Sequence, residues 1–462
     1  MQTSTLVLIL LILSAVAYQL GRRRSLSLVG GLKGTRRLHS LPSYYGMLTA
    51  LWCAIPALLV LIMWQAFDGR IVTDLVVGSM PAEVQQLNDD ELSLVLNDVR
   101  NVVAGAIPAE MASADVRAAA ERYVHLESLS RMAAAALCLA IALGLGAFAW
   151  LRISPDLRAR NSVERFVRAA LVTCSLIAIV TTVGIVISVL FESIRFFKLV
   201  PVTEFLFGLQ WSPQMAIRAD QVGSSGAFGA VPLFAGTALI AGVAMAVAVP
   251  VGLFAAIYLA EYAPRNVRAT IKPILEVLAG IPTVVYGFFA ALVVGPLLRE
   301  AGESAGLNVA GESALAAGLV MGVMIIPFIS SLADDMLHAV PQSLRDGSYG
   351  LGATQSETIR RVVFPAALPG IVGGVLLAIS RAIGETMIVV MAAGLAANLT
   401  ANPLEAVTTV TTQIVTLLVG DQEFDSPKTL AAFALGLVLF LVTLSLNVIA
   451  LHVVRKYREQ YE

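Results

Sequence analysis

Residues 229–259 read GAVPLFAGTALIAGVAMAVAVPVGLFAAIYL, 31 positions without a charged side chain. A helix needs about 20 apolar residues to cross the hydrocarbon core of a bilayer, so this run is long enough to span. Working outward, similar runs occur near 4–20, 47–67, 131–151, 168–191, 273–298, 313–333, 367–395 and 428–454, which makes nine candidate spans. Only helices satisfy their own backbone hydrogen bonds in lipid without closing a barrel. The fold class expected is therefore an all-α integral membrane protein.

Composition agrees. Of 462 residues 58% are hydrophobic and only 14% charged, with a mean hydropathy of +0.82. Soluble domains run near a quarter charged, and a water-exposed surface cannot be built from so few ionisable groups. A net charge of -1 gives no excess of cations for neutralising a phosphate backbone, so nucleic acid is not a partner. Cys53, Cys138 and Cys174 each sit in apolar runs and read as small buried hydrophobes. His39, His125, His338 and His452 are scattered without ligand spacing, so neither a metal nor a cofactor is expected. No G-x-x-x-x-G-K-[ST] occurs; if ATP drives this protein, another chain binds it.

Charge position sets orientation. Arg22, Arg23, Arg24, Lys33, Arg36 and Arg37 follow the first run with no acid among them, which places that loop in the cytoplasm and the N-terminus outside. Positive charges after rather than before the run also argue against a secretory signal. Counting forward, the loops with Arg152, Arg158, Arg160 and Arg165, with Arg265, Arg268 and Lys272, and with Arg345, Arg360 and Arg361 all fall inside. The tail with Arg455, Lys456 and Arg458 follows nine crossings and is cytoplasmic too. The acidic stretch 68–128 lies outside and reads either as a solvated spacer or as a small helical docking domain.

Composition also changes near residue 165, after which the spans are rich in Gly and Pro, as in Gly280, Pro282, Gly287, Pro327, Gly373, Gly374 and Gly384. Such helices kink and approach one another closely. The chain divides into an anchor of two spans with a basic loop (1–67), the acidic segment (68–128), a third span with a linker (129–165) and a six-span core (166–462).

Within that core, residues 335–366 form a polar cytoplasmic loop whose central part begins PQSLRDGSYGLGATQSETIRRVVFP at Pro341. Arg345 to Gly350 suit a short helix and Gly352 breaks it. Ser356 is placed to cap a second helix, with Glu357 in its first turn, which Pro365 stops. Two short helices under the membrane suit contact with a soluble partner, or a plain connection between spans.

This loop resembles the EAA loop of ABC importer permeases. Asp346, Gly347 and Ser348 occupy its Glu-Ala-Ala positions, Gly352 its glycine, Val362 its apolar position, and Phe364 and Pro365 its Leu-Pro. The first triplet departs from the pattern, since Asp has a shorter stem and Gly weakens a helix relative to Ala. Neighbouring GIPTVVYGFFA (280–290), IIPFI (325–329) and SRAIGETMIV (380–389) are similar to the phosphate-specific ABC importer permeases, C subunit. The likeness covers 166–462, and 1–165 looks like an extension carried by some longer members. It implies a type I importer permease core of six spans, without catalytic residues, in the bacterial inner membrane. The implied partners are a second, A-type permease, two cytoplasmic ATPase subunits and an extracytoplasmic phosphate-binding protein. Arg345, Asp346, Gly347, Ser348, Gly352 and Pro365 would serve ATPase coupling.

Arg381 lies roughly 14 residues into the run 367–395, about 21 Å deep at 1.5 Å per residue. A charge there costs at least about 2.5 to 3.5 kcal/mol. Glu385 is one turn on and is expected to pair with it. The resemblance assigns both to phosphate passage; a structural ion pair is the alternative. Glu276 reads as an interface acid or part of an inner gate, and Pro282, Tyr286 and Gly287 as a kink. TTVTTQIVTLL after Val407 reads as a surface helix or a short gating helix, and Arg195, Lys198 and Arg218 as outer-loop cations. Competing functions are an ABC permease for another oxyanion and an ion-coupled secondary transporter; the latter calls for inverted repeats and several midplane acids, which the sequence does not show.

Overall fold

The computed structural model describes residues 3–85, 87–108, 111–215, 225–419 and 426–458, and among them nine helical segments are long and apolar enough to cross a bilayer. They are Thr3–Ser27, Pro42–Val77, Ala114–Leu151, Ala159–Leu199, Val231–Tyr262, Thr283–Ser304, Ala314–Ala339, Gln355–Ile383 and Pro427–Lys456. The chain forms two compact units, Met1–Ile179 and Val180–Glu462.

In the first unit α1 (Thr3–Ser27), α2 (Pro42–Val77) and α5 (Ala114–Leu151) pack together through small residues. Leu6, Leu10 and Ala17 of α1 meet Cys53, Ala57 and Leu61 of α2 and Ala135, Cys138 and Ala142 of α5. Gly21 stands so close to α2 that a Cβ would fall 2.3 Å from Thr49 Oγ1. Helices in lipid gain little from apolar burial as such, so close backbone approach of this kind is what holds them. α2 and α5 both run on into the acidic segment, where they join α3 (Ala82–Gln85) and α4 (Asp89–Val103). Val72, Val76, Met80, Val99, Ala119 and Ala120 close a small core of their own there, so the segment is a folded helical element.

α6 (Ala159–Leu199) carries the chain from one unit to the next; between residues 164 and 192 none of its side chains is buried. Cys174 lies in that stretch and is exposed, which corrects the expectation that all three cysteines are buried; Cys53 and Cys138 are.

The second unit continues with α7 (Val202–Phe207) and an antiparallel hairpin of β1 (Trp211–Met215) and β2 (Ser225–Phe228), a β element absent from the sequence expectation. Phe196, Phe197, Phe205, Phe228 and Trp211 stack edge to face beneath it, the arrangement the ring quadrupole favours. α8 (Val231–Ile257) ends in a π turn, Tyr258–Tyr262, and packs along α12 (Ala314–Ala339). Small residues allow this: a Cβ on Gly322 would fall 2.9 Å from the Ala244 carbonyl O, and one on Gly252 3.0 Å from Ile329. α15 (Phe364–Ile383) lies antiparallel to α12, with Gly370 against Met336 and Gly374 against Leu332, and also packs on α18 (Pro427–Arg458) through Gly373 and Val454.

Two expected boundaries are corrected. The run 273–298 is not one span: α9 (Arg265–Ala279), without a buried residue, ends at Gly280, and the chain restarts after Pro282 as α10 (Thr283–Phe289), a π turn at Ala290–Val294 and α11 (Gly295–Ser304). Pro282 marks the restart: it stands at the N-cap of α10, where its missing N–H breaks no interior helical bond. Likewise the span expected at 367–395 is Gln355–Ile383, followed by α16 (Met387–Ala392).

Candidate coupling loop and translocation site

α13 (Gln342–Gly350) and α14 (Gln355–Thr358) are the two short helices expected in the cytoplasmic loop. Gly352 between them adopts φ +85°, a conformation in which any side chain is strained. Thr354, not Ser356, caps the second helix: its hydroxyl accepts from Glu357 N while the Glu357 carboxylate accepts from Thr354 N at 3.0 Å. Pro365 does not stop that helix. A π turn at Ile359–Val363 immediately precedes α15, and the helical segment continues through Pro365 to Ile383.

Arg345 turns inward. Its Nη2 donates to Glu261 Oε1 at 2.9 Å and to Leu337 O at 2.8 Å, and its Nη1 to Val340 O at 2.6 Å. The Arg345 and Glu261 side chains are only 12% and 11% exposed. Gln355 Nε2 donates to the Glu261 carbonyl at 2.7 Å, and the Ser348 and Thr358 hydroxyls lie 2.9 Å apart. The loop is thereby fastened to the last turn of α12 and to the π turn that ends α8. Asp346 and Gly347 face outward, together with Leu344, Tyr349 and the 91%-exposed Leu351.

Arg381 and Glu385 do not pair, which corrects the expected one-turn contact: neither forms an ion pair within 4.0 Å among the described residues. Gly384 ends α15 between them, so the same-face geometry of an unbroken helix is lost. The Glu385 carboxylate instead accepts from Met387 N at 3.2 Å at the start of α16, and its carbonyl accepts from Thr411 Oγ1 at 2.8 Å. Arg381 sits 5.7 Å over the Phe328 ring and faces a cavity of about 310 Å³ between α9, α12 and α15. Glu276 lines the same cavity.

One buried charge there escaped the sequence reading. The Asp334 side chain is 5% exposed, and its Oδ2 accepts from Lys272 Nζ at 2.8 Å and Arg268 Nη2 at 3.2 Å. His338 Nε2 lies 2.7 Å from Arg268 Nη1. A buried carboxylate requires such partners. The signal is two consecutive acids, Asp334 and Asp335, at the end of an apolar run, with the basic residues Arg265, Arg268 and Lys272 before the preceding span.

The Thr-rich stretch is also corrected. α17 (Val410–Leu418) is interior: Thr408, Thr409, Thr411, Thr412 and Gln413 are all buried. Gln413 accepts from Trp211 Nε1 at 3.0 Å and donates to Leu395 O and Thr408 Oγ1, both at 3.2 Å, while Thr237 Oγ1 accepts from Val410 N at 3.1 Å. The polar side chains satisfy each other and the ends of neighbouring helices, which is why so many can be buried. The break lies at Gly280–Pro282, with Tyr286 Oη donating to Leu278 O at 2.9 Å across it, while Gly287 packs inside α10 against Met387 and Met391. Arg195 pairs with Glu192 at 2.8 Å; Arg218 lies outside the described residues.

A Gly- and Pro-rich helical core, a fastened pair of short helices and a charged cavity inside the core define a multi-pass membrane protein with a polar pocket among its spans. Residues 248–459 match the family described as the binding-protein-dependent transport system inner membrane component, and residues 7–181 the family described as phosphate ATP-binding cassette transporter. The probable ABC transporter permease protein YqgH of Bacillus subtilis (strain 168) is 34% identical over 278 residues, which is 60% of this chain and 86% of that protein. The phosphate transport system permease protein PstC of Mesorhizobium japonicum is 32% identical over 241 residues, 48% of this chain and 72% of that one. PstC of Haemophilus influenzae is 38% identical over 161 residues, 32% of this chain and 51% of that one. The chain belongs to the ABC transporter permease family. The second match, at 7–181, shows that the N-terminal residues have counterparts in a described family as well.

Proposed function

We propose that this chain is the C-type permease subunit of an ATP-driven importer of inorganic phosphate, non-catalytic itself. It would form the translocation path with a second permease, take phosphate from an extracytoplasmic binding protein and be driven by two cytoplasmic ATPase subunits. The names of the PstC relatives support the substrate. Basic loops after the first, third, fifth and seventh spans support an outside N-terminus and a cytoplasmic C-terminus in the inner membrane. The 166–462 core is the transport unit in this reading, with 1–165 accessory to it.

The observation that carries the proposal is the way α13 is held. Its inner face is bonded to α12 and to the end of α8, while Leu344, Asp346, Gly347, Tyr349 and Leu351 face outward. A soluble ATPase gripping that outer face would move α12 and α8 with it, since the bonds leave no slack to absorb the motion. Arg381, without a carboxylate partner, is then the group that meets the anion. Its charge is not cancelled by Glu385, which makes no ion pair with it.

The test is uptake of labelled phosphate in cells that depend on this importer. Arg381→Gln should abolish uptake while the complex still assembles and hydrolyses ATP in response to the binding protein. Loss of assembly would assign Arg381 a structural role, and uptake of sulfate in place of phosphate would assign the substrate to another oxyanion.

A further inference from the structure

The cavity faced by Arg381 contains more anion-binding capacity than one guanidinium. Lys272 of α9, Ser330 of α12 and Arg381 of α15 all line it. Ser330 is 3% exposed, yet its hydroxyl has no hydrogen-bond partner among the described residues. Its oxygen is open to the cavity, so it can donate to an acceptor that enters. Lys272 commits one N–H to Asp334, and an ammonium has three. Two acids share the wall, Glu276 and Asp334; Asp334 is already met by both Lys272 and Arg268, so Arg268 leaves that cluster with a surplus positive charge.

We propose that Lys272, Arg381 and the Ser330 hydroxyl form an inner site for a phosphate group on its way through the permease, with Asp334 as the resident carboxylate that holds Lys272 in place when the site is empty. The inference rests on the phosphate-import reading and deepens it. A tetrahedral oxyanion presents several acceptors and is suited to two cations and a hydroxyl arriving from different helices. α9 buries no residue and is bounded by Pro264 and by the break at Gly280–Pro282, so its Lys272 is less firmly packed than the side chains of α12 and α15. Asp334 competes with the anion for Lys272, which keeps binding weak enough for release.

The experiment uses the whole importer, with its partner permease, ATPase and binding protein, in liposomes, and reads phosphate uptake beside ATP hydrolysis. Lys272→Gln should lower uptake about tenfold and Ser330→Ala several-fold, the loss expected for charged and neutral hydrogen bonds to the anion. ATP hydrolysis should stay near wild type, and Lys272→Arg should restore most of the uptake. If Lys272 serves only to neutralise Asp334, the double variant Lys272→Gln/Asp334→Asn will transport like wild type; the proposal expects it to stay low. Recovery in the double variant, or unchanged uptake in Lys272→Gln, overturns the site. A Lys272→Gln defect confined to vesicles with phosphatidylglycerol would assign the cavity to a lipid phosphate and also overturn it. The underlying reading fails separately: wild-type protein would then move no phosphate, whereas loss in Arg381→Gln with intact Lys272→Gln sinks only the inner site.

Discussion

Arg345 and Glu261, 84 positions apart in sequence, meet at 2.9 Å with both side chains nearly buried. One belongs to α13 and the other to the π turn that ends α8, so the contact joins the short helix pair to a span. Two further bonds from the same guanidinium reach the carbonyls of Leu337 and Val340. The guanidinium thus satisfies the open end of α12 while it holds the loop.

Removing one partner of that pair strands the other. Glu261→Gln and Arg345→Met should each destabilise the region by about 3 kcal/mol. Thermal unfolding of the assembled complex measures the loss, and co-purification of the ATPase measures whether α13 stays placed. The double variant Glu261→Met/Arg345→Met should recover part of the stability but not transport, because the leftover charge is gone while the link is still cut.

Two glycines of the loop, Gly347 and Gly352, should behave in opposite ways. A Cβ on Gly347 meets nothing within 4 Å, and Ala is the better helix former by up to about 1 kcal/mol, so Gly347→Ala should keep ATPase binding and gain stability. Gly352→Ala forces a side chain into φ +85° and should cost about 1 to 2 kcal/mol, with weaker coupling of ATP hydrolysis to uptake.

Gln413 lies at the centre of the buried network around α17. Gln413→Leu leaves the Trp211 N–H and the Leu395 carbonyl without their partner, at a cost of about 1 to 3 kcal/mol each if water cannot reach them. Lower thermal stability with a shifted tryptophan emission is the expected result; unchanged values for both would contradict the network.

Gly236 of α8 backs directly onto the chain before α17: a Cβ would fall 2.2 Å from the Thr408 carbonyl O. Backbone cannot move aside as a side chain end can, so Gly236→Ala should cost about 1 to 3 kcal/mol through displacement of Thr408. A second change, Thr408→Ala, leaves that carbonyl in place and should not rescue it.

The spans themselves were legible in the sequence, because a run of apolar residues long enough to cross lipid has few other uses. The loop helices were legible too, through Gly352 and the Glu357 side chain. What failed was every inference that needed to know where a helix ends within an apolar run. The Arg381 and Glu385 contact assumed an unbroken helix through Gly384, and the span 273–298 assumed one through Gly280 and Pro282. Buried polar groups were missed for a related reason. Asp334 and the threonines before and within α17 look like surface residues until their partners, contributed from distant segments such as Lys272, Trp211 and Thr237, are known.

Three π turns, at Tyr258–Tyr262, Ala290–Val294 and Ile359–Val363, interrupt the helices of the second unit. Each is in effect a one-residue insertion tolerated inside an α-helix, and one residue corresponds to about 100° of rotation. The wide turn at Ile359–Val363 absorbs its extra residue, so α15 keeps its register on α14 and Arg381 its place at the cavity; one residue inserted between Phe364 and Ser380, with no wide turn to take it up, would rotate Arg381 out of the cavity by that angle. The aim of the charge is thus protected by a turn some twenty residues away from it.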